Sequence, residues 1–387
     1  MKTNIPERIA ALREAMKEKN IDAYIIPSSD PHLSEYPADR LKSREWISGF
    51  DGSAGTVVVT ADKAGLWTDS RYFLQASIQL EGSGIDLYKM ALPETPTIQE
   101  FLLHELESGQ TVGTDGQTYS VAETAILEKA LRRKEIKLET SCDLIDLVWK
   151  DRPAIPGNPL FEMPVELSGK SVREKLDELN NMLRKEGADS LILAALDEVA
   201  WTFNIRGTDV AYNPVVISYA FVSEDESVLF IDPKKITAES AENLKKEGVI
   251  LADYTMIQKY LSRLPENSRV FIDPAKTNIS LYNALPKGCT IIEGITPANH
   301  LKSIKNETEI KGFRNAVIKD GIALTRFYIW LEKKLAAGEK VTELSASAML
   351  TALRAEQPQY IMDSFETICG YAAHGAIVHY AATPETD

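Results

Sequence analysis

The chain has 387 residues, of which 44% are hydrophobic and 26% charged, a composition typical of soluble globular proteins with room for two or three cores. Its formal net charge of −14 argues against a nucleic-acid partner, because phosphate binding needs a clustered excess of lysine and arginine. The N-terminus lacks the apolar stretch of a signal peptide, and no run of about 18 apolar residues occurs, so we predict a cytoplasmic protein that does not bind membranes. The three cysteines lie far apart without C-x-x-C spacing, which predicts reduced thiols.

Two segments of the chain share an order of elements, each a helix followed by a core strand. In the first, apolar residues at helical spacing over 9–16 precede a β-forming run at 21–27. In the second, such residues over 176–183 precede a β-forming run at 188–193.

The parallel between these segments continues downstream. Further strands are predicted at 55–60 in the first copy and at 214–222 in the second. In each copy one more strand ends near an aspartate, which is Asp69 in the first copy and Asp232 in the second. We interpret this repetition as a duplicated α/β domain.

Two interruptions divide the chain. Residues 151–159 contain three prolines and a glycine, which forbid a continuous helix and indicate a linker. A second boundary falls near 297–300, where a helical pattern begins. We therefore predict domains at 1–152 and 153–299, followed by a third region at 300–387.

The third region is predicted to contain two helices and then two strands. Apolar residues stepping by three, four or seven indicate a helix over 310–335 that ends at Gly338, and Thr342 is the expected N-cap of the next helix. Strands are predicted at 365–368 and 376–380. Such an incomplete layer would expose apolar surface, which suggests that further sequence belongs to this domain.

Three stretches carry a resemblance to a known family. They are SGFDGSAGT at 48–56, LWTDSRYFLQA at 66–76 and GAIVHYAATPET at 375–386. In combination they resemble aminopeptidase P, the Xaa-Pro aminopeptidases of the creatinase and prolidase group. The resemblance implies an α/β protein with two creatinase-like N-terminal domains followed by the start of a pita-bread catalytic domain.

The family chemistry depends on metal. The resemblance implies two divalent metal ions, usually manganese, held by two aspartates, one histidine and two glutamates that all follow the His-Tyr-Ala segment. We therefore expect this chain to lack the metal ligands, to bind no metal and to be inactive alone. Glu385 and Asp387 match the loop before the first ligand and are not assigned as ligands. Substrates implied by the resemblance are peptides with proline in the second position, and a homodimer is typical of the family.

Two residues of the chain receive functional roles from the matching motifs. His379 is expected to be catalytic, donating a hydrogen bond to the negative oxygen that develops in the tetrahedral intermediate, or to position the substrate. Arg71 is expected to bind substrate at the mouth of the site, where its guanidinium could bind a peptide carboxylate or carbonyl. The alternative for Arg71 is a structural ion pair with Asp69.

The remaining histidines are interpreted as structural. His374 is expected in an exposed turn, whereas His32, His104 and His300 show no partner spacing and are expected at the surface or between domains. The glycine-rich run at 49–55 lacks the pattern of a phosphate-binding loop and is interpreted as a packing turn.

Two other functions are compatible with these residues. The first alternative is a non-catalytic protein that uses creatinase-like domains to bind peptides or proteins. The second is a different pita-bread hydrolase, such as a creatinase or prolidase.

Overall fold

A computed structural model describes residues 4–387 of the chain. The first half is built on a six-stranded mixed sheet of order β4-β3-β2-β1-β5-β6. Its strands are β1 Ala23–Pro27, β2 Thr56–Thr60, β3 Ala64–Thr68, β4 Asp86–Lys89, β5 Thr111–Thr114 and β6 Lys137–Glu139. Its helices are α1 Ile5–Glu18, α2 Ser43–Ser48, α3 Phe73–Gln79, α4 Ile98–Glu105, α5 Val121–Leu131 and α6 Leu144–Val148.

The second half contains another six-stranded sheet, of order β12-β11-β10-β8-β13-β14, and a small two-stranded sheet, β7-β9. The strands are β7 Phe161–Glu162, β8 Ser190–Leu193, β9 Ile205–Arg206, β10 Ser218–Ser223, β11 Ser227–Ile231, β12 Val249–Ala252, β13 Arg269–Ile272 and β14 Thr290–Glu293. The helices are α7 Val165–Ser168, α8 Val172–Glu186, α9 Leu196–Thr202, α10 Ala238–Lys246, α11 Ile257–Leu261, α12 Ile279–Asn283 and α13 Pro297–Ser303.

The two large sheets have the same topology. In the first, β1 runs antiparallel to β2 and parallel to β5, and in the second, β8 runs antiparallel to β10 and parallel to β13. The outer strands repeat as well, because β3 and β11 each pair antiparallel on one side and parallel on the other. The predicted duplication of an α/β domain is confirmed.

Local sequence signals explain the long helix of the second half. Ser171 and Glu174 form a reciprocal capping box at the start of α8, and Gly187 ends it in a left-handed conformation with φ of 70°. The apolar face that the sequence predicted is buried against the second sheet, through Leu176, Leu179 and Leu183. Full burial of each leucine contributes about 1.5–3 kcal/mol to folding.

The third region contains the two predicted helices, α14 Glu307–Ala336 and α15 Glu343–Ala355. Gly338 follows α14 with a φ of 69°, and the hydroxyl of Thr342 accepts the Ser345 N–H at the start of α15. The two strands predicted at 365–368 and 376–380 are wrong. This part of the chain is irregular apart from a 3₁₀ helix at Ala372–Ala376, and it meets no neighbouring strand with which to pair among the described residues.

Helix α14 presents large apolar side chains to solvent, as the sequence predicted for this region. Ala323 is its one buried residue, whereas Phe313 is 59% exposed and Val317 is 71% exposed. Exposed apolar side chains on one helix are typical of a surface that packs against further protein. Within residues 4–387, no helix combines the length and the apolar character that crossing a membrane requires.

The two halves of the chain are joined by backbone and side-chain hydrogen bonds. The Ile279 N–H donates to the carbonyl of Tyr119 at 2.8 Å, and the Asn278 amide donates to the carbonyl of Pro31 at 2.7 Å. Because Asn278 is buried, these bonds form in a low-dielectric environment and hold the two sheets in a defined relation.

His32 lies in this interface, as one of its two sequence-based alternatives predicted. One ring nitrogen is 2.8 Å from the Ala194 carbonyl oxygen and the other is 3.0 Å from the Tyr254 hydroxyl. The ring also packs on Tyr219, with centroids 4.2 Å apart. Burial lowers the pKa of His32, partly opposed by the nearby Asp30 carboxylate. The neutral imidazole is therefore the form that fits this interface.

This burial predicts a pH dependence of stability. Since the unfolded chain takes up a proton at His32 near pH 6.5 and the folded chain only at lower pH, the free energy of unfolding should fall as the pH drops below 6.5. The free energy of unfolding is measured by urea unfolding at several pH values. Plotted against pH, it should fall less steeply below pH 6.5 in His32→Gln than in the wild type. The control is His104→Gln, whose side chain is 83% exposed and whose slope should match the wild type. The same dependence on pH in all three proteins would contradict the prediction that His32 is neutral when buried.

The charged and polar groups around His32 are Asp30, Asp209, Lys235, Tyr219 and Tyr254.

Candidate active site

A cleft near the motif residues lies where the two halves and the C-terminal region meet. It encloses about 580 Å³ and opens to solvent. Its wall includes Tyr36, Arg44 and Tyr72 of the first half, Ala211 and Tyr212 of the second, and Phe365, Ile377, His379 and Tyr380 of the C-terminal region. A concave, partly aromatic cleft with a few polar groups is the usual form of a small-ligand site.

Arg71 forms the ion pair that the sequence offered as the structural alternative. Its Nε and Nη2 donate to the two carboxylate oxygens of Asp69, each at 2.8 Å, and Asp69 also accepts the Arg71 backbone N–H. The guanidinium lowers the pKa of the Asp69 carboxyl and is itself held charged. The Arg71 side chain is nevertheless 42% exposed, so the pair leaves it accessible.

His379 and Arg71 meet at one aromatic ring. The imidazole of His379 stacks on Tyr72 with ring centroids 5.3 Å apart, and the guanidinium carbon of Arg71 lies 5.1 Å from the same centroid. His379 is half-buried and belongs to the cleft wall. The structure therefore brings together the two residues that the sequence selected from separate motifs.

Glu343, which the sequence did not single out, anchors the segment that carries His379. Its buried carboxylate accepts hydrogen bonds from the Tyr380 hydroxyl at 2.6 Å, from the Tyr371 N–H and from His374 at 3.0 Å. Burial raises the pKa of the Glu343 carboxyl, but the hydrogen bonds from these donors lower it by more, so its pKa is below the usual value. Glu343 also lies in the first turn of α15, where the helix dipole favours an ionised carboxylate. His374 is thus partly buried and bonded, rather than free in an exposed turn.

Arg44 holds the glycine-rich run that forms part of the cleft wall. This buried side chain donates to the carbonyls of Phe50 and Gly52, and its Nε donates to the Ser28 hydroxyl at 3.2 Å. Loss of solvent lowers the pKa of Arg44 to about 10, which leaves it protonated at neutral pH. The run is a packing turn, as predicted.

A buried ion pair supports the loop from the second half that reaches the cleft. Asp209 accepts from the ammonium of Lys235 and from the Ile217 N–H, and both charged side chains are 1% exposed. The loop between Asp209 and Ile217 includes Tyr212, which lines the cleft with a positive φ of 62°. The pair therefore fixes the base of a strained loop.

The described residues do not fit the metal centre implied by the family resemblance. No group of three or more histidine, cysteine, aspartate or glutamate side chains within residues 4–387 could hold a metal ion. Asp387, a tempting substitute, instead accepts the Leu344 N–H at 2.8 Å. Within residues 4–387, the residues around the cleft therefore supply no metal site of their own.

Comparison with protein families agrees with the duplicated fold. A profile described as Creatinase/Prolidase N-terminal domain matches residues 8–147, and a second profile of the same description matches residues 151–309. Together the two matches cover well over half of the chain. The chain therefore belongs to the creatinase/prolidase family.

Individual relatives narrow the similarity to aminopeptidase P. The chain is 39% identical to a probable Xaa-Pro aminopeptidase P of Coprinopsis cinerea and 40% identical to one of Laccaria bicolor, in each case over 98% of this chain. It spans 63% and 60% of those relatives. The crystal structure of X-prolyl aminopeptidase from Caenorhabditis elegans, described as a cytosolic enzyme with a di-nuclear active site, superposes with a TM-score of 0.94 and 32% identity. The superposed region covers 99% of this chain and 65% of the C. elegans chain. The resemblance seen in the sequence is confirmed.

Proposed function

We propose that this chain forms the peptide-binding part of an Xaa-Pro aminopeptidase, an enzyme that hydrolyses the N-terminal peptide bond preceding proline. The supporting observation is that Arg71 and His379, selected from motifs at opposite ends of the chain, contact the same ring, that of Tyr72, and that Tyr72 and His379 line the cleft. The relatives that match almost the whole chain carry this activity in their names.

An Xaa-Pro bond needs a dedicated site. The prolyl nitrogen has no hydrogen to donate and the ring fixes the backbone, so a peptidase that binds an extended chain through its N–H groups binds it poorly. In our proposal Arg71 binds the peptide carboxylate or a carbonyl beyond the proline. His379 lies near the reacting carbonyl and donates a hydrogen bond to its oxygen as negative charge develops.

The proposal assigns the metal to other polypeptide. Two divalent ions, manganese by family resemblance, would polarise the scissile carbonyl and activate water when bound. The absence of a ligand set within residues 4–387 and the exposed apolar face of α14 both favour a centre completed by additional sequence. We therefore propose that residues 300–387 are the N-terminal part of a pita-bread domain and that this chain is inactive alone.

The other family expectations remain part of this proposal. Domain boundaries at 152 and 299 follow the linker and the start of the third region. A cytoplasmic location agrees with the description of the C. elegans enzyme as cytosolic. Peptides with proline in the second position are the proposed partners, and a homodimer is the proposed assembly.

Peptide binding to this chain tests the proposed function. In isothermal titration calorimetry we expect Arg-Pro-Pro to bind, Arg-Ala-Ala to bind more weakly, and no arginine to be released in either case. Arg71→Lys should weaken Arg-Pro-Pro binding by about tenfold, because lysine keeps the charge but loses the planar fork.

The control for Arg71 is a second arginine paired with a carboxylate. Arg132, which directly follows α5, donates to Glu128 at 2.9 Å and does not line the cleft, so Arg132→Lys should leave the peptide affinity unchanged. If Arg71→Lys lowers the stability but not the affinity, Arg71 is only the structural partner of Asp69. If Arg-Pro-Pro does not bind the wild-type chain, the proposed function fails for this chain.

A further inference from the structure

The ring of Tyr72 contacts both side chains that the proposed function uses. His379 stacks on this ring at an interplanar angle of 23°, and Arg71 approaches the same ring through its guanidinium. Aromatic rings attract cations to their faces and stack with other planar groups, so one ring can hold both partners. Tyr72 belongs to the first half of the chain and His379 to the C-terminal region, so their contact connects two parts of the protein.

Tyr72 itself is held in a single position. Its side chain is only 2% exposed, the ring of Phe50 meets it edge-on at 5.8 Å, and its hydroxyl lies 2.8 Å from the Ser53 hydroxyl. Gly52 passes so close that a Cβ there would lie 2.3 Å from Phe50 and 2.7 Å from Tyr72. Only glycine therefore lets the two rings pack in this arrangement.

The turn that holds Tyr72 is fixed by hydrogen bonds to two of its neighbours. Arg44 donates to the carbonyls of Phe50 and Gly52. The Asp51 carboxylate accepts hydrogen bonds from Gln75 at 2.6 Å and from Gln79 at 2.7 Å, both on the helix that follows Tyr72. The Asp51 carboxylate thus connects the turn to the helix that follows Tyr72.

We propose that Tyr72 is the positioning residue of the cleft, whose fixed ring sets the place of His379 relative to Arg71, which Asp69 holds on its own side of the contact. A peptide entering the cleft then meets an imidazole that is already in place, with the Arg71 guanidinium held against the same tyrosine ring. Preorganisation of this kind raises affinity because less side-chain freedom is lost on binding. The inference rests on the proposed function, since it names the residue that prepares the same site for a peptide.

Nuclear magnetic resonance of this chain tests the arrangement without any peptide. We expect nuclear Overhauser effects between the ring protons of Tyr72 and His379 in the wild type. They should persist in Tyr72→Phe, which keeps the ring but loses the bond to Ser53, and His379 should lose its ring-current shift in Tyr72→Leu. Absence of the wild-type effects overturns the proposal, even if Tyr72→Leu does not fold.

Affinity for Arg-Pro-Pro separates positioning from stability. Tyr72→Leu is expected to weaken binding about fivefold, and Tyr72→Phe to stay within about twofold of the wild type. The matched control is Tyr24, which is 1% exposed and donates to the Cys142 carbonyl at 2.9 Å, outside the cleft lining. Tyr24→Leu and Tyr24→Phe should lower the stability while leaving the affinity of the folded protein unchanged.

The outcomes distinguish the two proposals. If the wild type binds Arg-Pro-Pro and Tyr72→Leu binds equally well, or if Tyr24→Leu weakens binding as much, Tyr72 has no positioning role. If no variant binds the peptide, including the wild type, the proposed function fails, and the resonances of Tyr72 and His379 still decide whether the ring holds its neighbour.

Discussion

Replacing Lys235 by methionine is expected to lower the free energy of unfolding by about 3–5 kcal/mol. The ammonium group of Lys235 and the carboxylate of Asp209 are both 1% exposed. Removal of the lysine leaves a buried carboxylate with the Ile217 N–H as its remaining described partner. An uncompensated charge in a low-dielectric interior is costly, so the loss should far exceed that of a surface pair. Urea unfolding followed by circular dichroism measures it.

A second lysine–carboxylate pair provides the control. The Lys170 Nζ and Glu178 Oε1 atoms are 2.5 Å apart, but the two side chains are 34% and 38% exposed. Lys170→Met should therefore lower the free energy of unfolding by no more than about 1 kcal/mol. The double variant Asp209→Asn with Lys235→Met should recover part of the stability, because it removes both charges. A loss below about 1 kcal/mol for Lys235→Met alone would show that the buried pair is not needed. The same variant should also disturb Tyr212, whose loop begins at Asp209.

The second large effect concerns His379 and catalysis. We expect His379→Ala to lower kcat for Arg-Pro-Pro by about 10²–10³, the usual consequence of removing one donor to a developing oxyanion. The measurement uses a fusion of this chain to the part of the Coprinopsis cinerea relative that lies beyond the matched region. KM should change less than kcat, because the proposed hydrogen bond strengthens in the transition state.

A second histidine, His104, provides the control, because its replacement also removes an imidazole but at a site away from the cleft. His104 is 83% exposed and bonds to Glu105 on the surface, so His104→Ala should keep the wild-type kcat. Metal content should be the same in both variants and in the unmodified fusion protein, since His379 is not assigned as a ligand. A wild-type kcat for His379→Ala would remove this residue from the catalytic assignment. A loss of metal would instead indicate that it acts as a ligand.

Helices and the repeated fold were predictable because their signals are local. The Ser171 and Glu174 capping box, and the glycine after α8, lie within the segment that they define. The same holds for Thr342 at the start of α15. The duplication was also visible, since each copy carries its own helix and core strand.

The failed strand predictions have a physical cause. Residues 365–368 and 376–380 are rich in β-forming side chains, but a strand forms only when a neighbouring strand completes its hydrogen bonds. The described part of the chain offers no such neighbour there. Composition therefore predicted a tendency that this environment does not satisfy.

The candidate site was only partly visible in the sequence. The Arg71 and Asp69 pair was foreseen because its members are two residues apart, and His379 was selected from a motif. The stacking of His379 on Tyr72, and the anchoring of its segment by Glu343, join residues that are remote in sequence. No local pattern encodes such contacts, which depend on how the two halves and the C-terminal region pack together.

Release of arginine from Arg-Pro-Pro by the manganese-loaded fusion protein tests the account most directly. We predict that the fusion protein releases arginine from Arg-Pro-Pro but not from Arg-Ala-Ala, and that this chain alone binds the first peptide without cleaving it. A folded fusion protein that binds manganese and leaves Arg-Pro-Pro intact would contradict the proposed function. Cleavage of the peptide by this chain alone would contradict the assignment of the metal centre to additional polypeptide.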